Sequence, residues 1–144
     1  MTQPTLAHAD AAARLRVAVT RLTRHLRQTA PGELTLSQWS ALATVETQAR
    51  IRIGDLADRE GVSAATATRV VAALEEQGLV TRESDLADRR SWRVSLSPAG
   101  QAKLEWARRR RTERLALRLS MLSESDVQRL LNALPVLESL VDDE

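Results

Sequence analysis

Residues 53–96 read IGDLADREGVSAATATRVVAALEEQGLVTRESDLADRRSWRVSL, and the fold follows from how this stretch punctuates itself. Ile53–Glu60 has the length and apolar spacing of a short helix, and Gly61 is placed to cap its end in the left-handed conformation that side chains disfavour. Ser63 then reads as the N-cap of a second helix with Ala67, Val70, Val71 and Leu74 on its buried face, closed by Gly78. Two helices joined by a three-residue, glycine-centred turn have the spacing of a helix-turn-helix, and the small Ala57 facing that turn lets them approach. Leu79–Glu83 follows as a short strand. Trp92, Val94 and Leu96 alternate with Arg93 and Ser95 as a second one, and Ser84–Arg90 forms a polar tip between them. A helix-turn-helix followed by a hairpin with a charged tip predicts a winged helix.

The flanks are helical on both sides. Residues 1–9 carry no periodicity and are expected to be a frayed arm. From Asp10 a helix is predicted, with Leu15, Ala18, Val19, Leu22 and Leu26 on one face, arginines on the others, and Pro31-Gly32 as its stop. Thr35 and Gln38 make a capping box, with Leu34 and Trp39 placed as its hydrophobic staple, for a helix to about Thr47. Arg50–Arg52 is too short for more than a minor strand. Downstream, Ser97 caps a long helix with Pro98 in its first position, running through Arg108–Arg111 to about Ser120. Ser123 caps the last helix, where Glu124 and Asp126 suit the first turn, Val127, Leu130, Leu131, Leu134, Leu137 and Val141 form the apolar positions, and Pro135 is expected to kink it. The expected class is mainly α with a small β wing (α+β). Residues 1–34 form an arm and dimerisation helix, 35–97 a winged helix-turn-helix, and 98–144 C-terminal dimerisation helices, all in one compact chain.

Composition excludes several functions. The chain has 144 residues, 43% of them hydrophobic, which suits a single domain with a modest core. It has no Cys, so disulfides, thiolate zinc sites and thiol chemistry are excluded. The only histidines are His8 and His25, and no metal-spaced cluster, nucleophile elbow or phosphate-binding glycine loop occurs, so no catalytic residue, metal or cofactor is expected. There is no long apolar run and no signal-like N-terminus, which makes the cytoplasm the expected location, with no membrane partner. Net charge is only +2, yet it is unevenly spread. Residues 1–30 carry five Arg against one Asp, 119–144 carry one Arg against six acids, and 59–93 are neutral with six of each. The terminal helices hold more apolar surface than a lone winged helix needs, and a basic first helix complements an acidic last one across a two-fold axis, so a homodimer is expected.

Three segments, Gly61–Val80 (GVSAATATRVVAALEEQGLV), Asp85-x-x-Asp88-Arg89-Arg90 and Leu96-Ser-Pro-Ala-Gly100, together resemble the MarR family of bacterial transcriptional regulators. The resemblance covers the helix order of nearly the whole chain. It implies a homodimer with two winged-helix lobes, an intertwined terminal-helix region, and often a ligand cleft between the two. One departure is the alanine-rich second helix of the helix-turn-helix, with Ala64, Ala65, Ala67, Ala72 and Ala73. The lack of cysteine also rules out the peroxide-sensing mechanism of one branch of the family.

On such a fold the partner is double-stranded DNA. The outward positions early in the recognition helix are Ala65, Thr66, Thr68, Arg69 and Ala72. Arg69 suits a bidentate guanine contact, a phosphate, or an ion pair with Glu60 or Glu76; the threonines suit base edges, phosphate or thymine methyls, and Ser63 with its free backbone N–H groups suits a phosphate. Arg89 and Arg90 sit at the wing tip, one to enter the minor groove and the other to pair with Asp88 or Asp85 and hold the wing's shape. Arg82 is a further phosphate candidate. Arg108–Arg111 point all around their helix and read as a solvated, salt-bridged face. His25, Trp39 and Trp106 are candidates to line a cleft for a small aromatic or anionic effector. The expectation is a site-specific regulator, a repressor on a palindromic site. The alternative is a winged-helix interaction or architectural DNA-binding module without ligand control.

Overall fold

The structure is a computed structural model that describes residues 5–27, 34–88 and 90–141. Its elements run α1 (Leu6–Leu26), α2 (Leu36–Gln48), β1 (Arg50–Arg52), α3 (Ile53–Glu60), α4 (Ala64–Glu76), β2 (Val80–Ser84), β3 (Trp92–Leu96), α5 (Pro98–Leu119) and α6 (Glu124–Ser139). The predicted element order holds. The first helix begins earlier than its apolar repeat suggests, because Thr5 caps it: the Thr5 hydroxyl accepts the His8 N–H and the His8 ring accepts the Thr5 N–H. The expected arm is therefore helical from Leu6, and His8 is a capping residue. Pro31-Gly32 lies outside the described residues. The helix stops before it at Leu26.

The chain divides into two compact units, α1 with the chain from Arg110 onward, and the remainder up to Arg109, so α5 contributes to both. In the central unit, Thr35 and Gln38 form the expected capping box, and Leu34 and Trp39 are both buried in one core cluster. That core is filled by Leu42, Val45, Leu56, Val71, Leu74, Val80 and Val94, each fully buried. The same C-terminal device closes both helices of the helix-turn-helix. After α3, the Gly61 and Val62 N–H groups return to the Asp58 and Ala57 carbonyls; after α4, Gly78 and Leu79 return to Glu75 and Leu74. Gly61 and Gly78 sit at φ +64° and +71°, where a Cβ would be strained.

The sheet is antiparallel in the order β1-β3-β2, so the minor strand joins the wing instead of standing alone. Val80, not Leu79, opens β2; the Leu79 carbonyl accepts the Ser97 N–H instead. Ala49 turns α2 into β1 at φ +56°, a conformation unfavourable for alanine that no sequence cue signals. The Leu96-Ser-Pro-Ala-Gly100 segment has a packing reason. The Ser97 hydroxyl donates to the Gly78 carbonyl at 2.6 Å and accepts the Gly100 N–H at 3.0 Å, tying the start of α5 to the end of α4. Gly100 is buried against the Leu79 carbonyl and Leu96, which leaves no room for a Cβ. Arg108 joins α5 to α2 through both oxygens of Glu46, and Gln101 reaches the same carboxylate. Arg108, foremost by hydrogen bonding, holds Glu46 below its ordinary pKa, and Glu46 raises Arg108 in return.

The terminal unit differs. Neither α1 nor α6 has a buried residue. Leu15, Val19 and Leu22 on α1, and Leu130, Leu131 and Leu134 on α6, are 37–53% exposed. Ser123 caps α6 by accepting the Asp126 N–H, and the helix continues through Pro135.

Candidate nucleic-acid interface

The N-terminal end of α4 is an exposed, small-residue surface built by its cap. The Ser63 hydroxyl accepts the Thr66 N–H at 3.1 Å and lies 2.9 Å from the Thr66 hydroxyl. Ala64 and Ala65 are exposed beside it, so an anion can approach the remaining first-turn N–H groups closely. Thr68 is exposed, and its hydroxyl donates back to the Ala64 carbonyl, leaving its methyl and lone pairs outward. Thr66 and Ala72 are half-buried. Arg69 is exposed, and its Nη2 makes a long 3.4 Å contact to the Thr66 hydroxyl. Among the described residues no carboxylate pairs with it; Glu60, a conceivable partner, accepts the Thr44 hydroxyl at 2.6 Å. The guanidinium of Arg69 is thus held over the cap region with its charge uncompensated, which is what a base or phosphate contact requires.

The wing is organised by two aspartates that act differently. Asp85 is 3% exposed, and its carboxylate accepts the Ala87 N–H at 3.0 Å and Arg52 Nε at 2.7 Å and forms an ion pair with Arg93, whose Nε lies 3.1 Å away. Arg52 and Arg93 are direct cross-strand partners in β1 and β3, so without a carboxylate between them their charges would repel. The Ala87 N–H, and then Arg52 and Arg93, keep the Asp85 carboxyl below its ordinary pKa. Asp88 shapes the tip: its side chain accepts the Arg90 N–H at 3.0 Å and its carbonyl accepts the Ser91 N–H at 2.9 Å. For Arg90 the expected pairing with Asp85 or Asp88 is not seen among the described residues. Asp85 is taken by Arg52 and Arg93, and Asp88 binds the Arg90 backbone, which leaves the exposed Arg90 guanidinium unpaired among the described residues. Arg89 lies outside the described residues.

Arg82 is not a free surface cation. Its Nε donates to Glu75 on α4 at 2.6 Å, and its guanidinium lies 5.5 Å from the centre of the Trp92 ring. Neither this triad nor the Arg52–Asp85–Arg93 cluster is apparent from sequence spacing. The signal that exposes them is register, because it makes Arg52 and Arg93 neighbours on one face and Arg82 a diagonal neighbour of Trp92.

The candidate effector residues fall in both units, and each is described within its own. Trp39 is 7% exposed and belongs to the core of the central unit. Trp106, on α5 of that unit, is 37% exposed and lies 5.2 Å from the Lys103 ammonium. His25 belongs to the terminal unit, where its Nε2 meets Arg118. A cleft of about 460 Å³ in the central unit is lined by Gln48, Arg50, Ile51, Asp55, Asp58 and Arg59, and by neither tryptophan. Among the described residues no group of three or more metal-ligating side chains occurs, and no helix is long and apolar enough to cross a membrane.

This arrangement, a capped helix presenting Arg69 beside a wing presenting Arg90, belongs to a fold shared with known proteins. The MarR family model matches residues 34–92. An HTH-type transcriptional regulator from Mycobacterium tuberculosis is 40% identical over 130 residues, which is 90% of this chain and 91% of the relative. A solved Pseudomonas aeruginosa protein described as a transcriptional regulator is 34% identical over 98% of this chain and 100% of its own, with a TM-score of 0.79. Bordetella bronchiseptica BpsR, whose DNA binding is regulated by 6-hydroxynicotinic acid, is 24% identical over 90% of this chain and 98% of its own, with a TM-score of 0.57, a likeness of fold.

Proposed function

The chain belongs to the MarR family of DNA-binding transcriptional regulators, and from that premise we propose that it is a site-specific repressor acting as a homodimer on a palindromic operator. Its relatives are regulators, not enzymes. The observation that carries the proposal is the pair of uncompensated, exposed arginines, Arg69 on α4 and Arg90 at the wing tip, each presented by a side chain or cap that fixes the backbone around it. In this reading α4 enters the major groove. Arg69 bonds a guanine edge, Thr66 and Thr68 meet base edges or phosphate, Ala65 lets the helix approach, and the Ser63 end holds a phosphate. Arg90 or Arg89 enters the adjacent minor groove from a tip shaped by Asp88.

The unburied faces of α1 and α6 support dimerisation, since exposed leucines in such stripes are costly without a partner. Two α4 helices then meet half-sites about 34–36 Å apart. Regulation by a small aromatic or anionic effector is supported by the BpsR likeness and requires that the effector favour one lobe spacing over another. The test is footprinting and gel-shift titration on the DNA upstream of the protein's own gene against a scrambled duplex, at several salt concentrations, with and without small aromatic acids. Protection of a palindrome, lost on adding an acid, is the expected result. Equal binding to both duplexes overturns the site-specific reading.

A further inference from the structure

The Arg82 triad has a role that phosphate binding does not explain. Arg82 comes from β2, Glu75 from the last turn of α4, and Trp92 from the first position of β3, so one guanidinium touches three elements. Its Nε is bonded to a carboxylate and its Cζ lies over an indole ring within cation–π range, two interactions a guanidinium makes at once. The pair is half-buried, with Arg82 and Glu75 side chains 29% and 37% exposed. A phosphate reaching the remaining Nη donors of Arg82 would face the negative charge of Glu75 beside them.

We propose that Arg82 is a positioning residue, a clasp with Glu75 and Trp92 that sets the angle between the recognition helix and the wing, and that it bonds no phosphate. The inference rests on the DNA-binding reading above. The root of the hairpin is fixed by the Gly78 turn and by β1 pairing with β3 at Arg93–Ser95, so the remaining freedom is the swing of its distal part. From Arg82 to the end of β2 is about 7 Å at strand rise, so a swing of roughly 8° displaces that end by about 1 Å. A displacement of that size is enough to spoil a minor-groove hydrogen bond from Arg90. The partly exposed Trp92 ring is then explained as the clasp's second jaw.

The test uses the full chain with R82Q, R82K, E75Q and the R82Q/E75Q double variant. Affinity for the operator is measured across salt concentration, with circular dichroism melting as the folding control. R82Q and E75Q are each expected to weaken operator binding about 5- to 30-fold without changing the slope of log K against log salt. The double variant should be no worse than either single one, and R82K should remain impaired because an ammonium cannot reproduce the planar fork. A fall in slope of about 0.9 for R82Q, the signature of one lost phosphate contact, overturns the proposal. So does an E75Q protein that binds as well as or better than the parent. Amide hydrogen exchange of residues 80–96 reads the clasp without DNA: faster exchange in both single variants supports it, and unchanged exchange overturns it. A parent protein that ignores operator sequence sinks the site-specific reading instead, and the exchange measurement still decides the clasp.

Discussion

The two units of this chain use the same alphabet of apolar periodicity to different ends. In the central unit seven large side chains fall below 2% exposure, and the helix-turn-helix, the sheet and the start of α5 close around them. In the terminal unit α1 and α6 carry equally regular leucine and valine stripes and bury none of them. Periodicity states that a face will be covered without saying by what. The central unit covers its own faces and so can hold a DNA-reading surface rigidly. The terminal unit presents its faces outward, which is the physical ground for placing a second copy there.

The sharpest way to break that comparison is to charge the α6 stripe. Leu131→Asp with Leu134→Asp should abolish dimerisation and lower operator affinity by about 10²- to 10⁴-fold, because the second half-site is no longer delivered at high effective concentration. Sedimentation gives the first quantity and gel-shift titration the second. A parent protein that sediments as a monomer, or a variant that stays dimeric, removes the distinction between the units.

A substitution inside the central unit should act without any concentration dependence. Gly100→Ala places a methyl group about 2.8 Å from a Leu96 methyl and against the Leu79 backbone carbonyl, which cannot withdraw without moving α5 or the chain that enters β2. Overpacking of this kind costs about 1–3 kcal/mol, readable by urea unfolding at two protein concentrations. Ala99 is exposed one position earlier, so Ala99→Ser should leave stability within about 0.5 kcal/mol. An equally mild Gly100→Ala would mean that the junction is loose.

Most of the central unit is legible in the sequence because its punctuation is local. Thr35–Gln38, Gly61, Ser63, Gly78 and Ser97 act within three or four residues of themselves, and each appears in the structure in its expected role. What stays hidden depends on register or on residues without turn character. Asp85 pairing with Arg52 spans 33 positions and follows only once β1 is known to join β3. Ala49 bends the chain at positive φ with an ordinary side chain. The helical start of the arm is missed because Thr5 caps α1 before its apolar repeat begins. On the proposed DNA face, the residue types on α4 are readable from its period, whereas the separation of Arg69, left uncompensated, from Arg82, engaged by Glu75, needs the third dimension.

That separation can itself be tested at single base positions. Arg69→Ala should cost about 1–3 kcal/mol and relax preference at one position of each half-site if it reads a base. A loss uniform across operator variants assigns Arg69 to phosphate. Arg90→Ala should weaken protection in the minor groove beside the half-site while leaving the major-groove preference intact. If the two substitutions produce the same pattern, α4 and the wing do not read separate grooves.

The smallest expected effect distinguishes the wing from the core beneath it, and it is set by acid. The Ala87 N–H, with Arg52 and Arg93, depresses the Asp85 carboxyl below its ordinary value of 3.8. A group depressed in the folded state contributes stability above its unfolded pKa and loses it as pH falls through the folded one. The wing should therefore be indifferent to pH between about 7 and 5, and should loosen only once the pH drops below about 3.8, as Arg52 and Arg93 lose the charge between them. Protection factors for the amides of residues 80–96, at about pH 6 and about pH 3, measure this directly. Asp85→Asn should give a wing already loose at the higher pH that changes little further on acidification, since an amide keeps a hydrogen-bond acceptor but no charge. A parent wing equally protected at both pH values would mean that strand pairing and Val94 hold the hairpin without the carboxylate. Asp85 would then be a tolerated buried charge and not the wing's anchor.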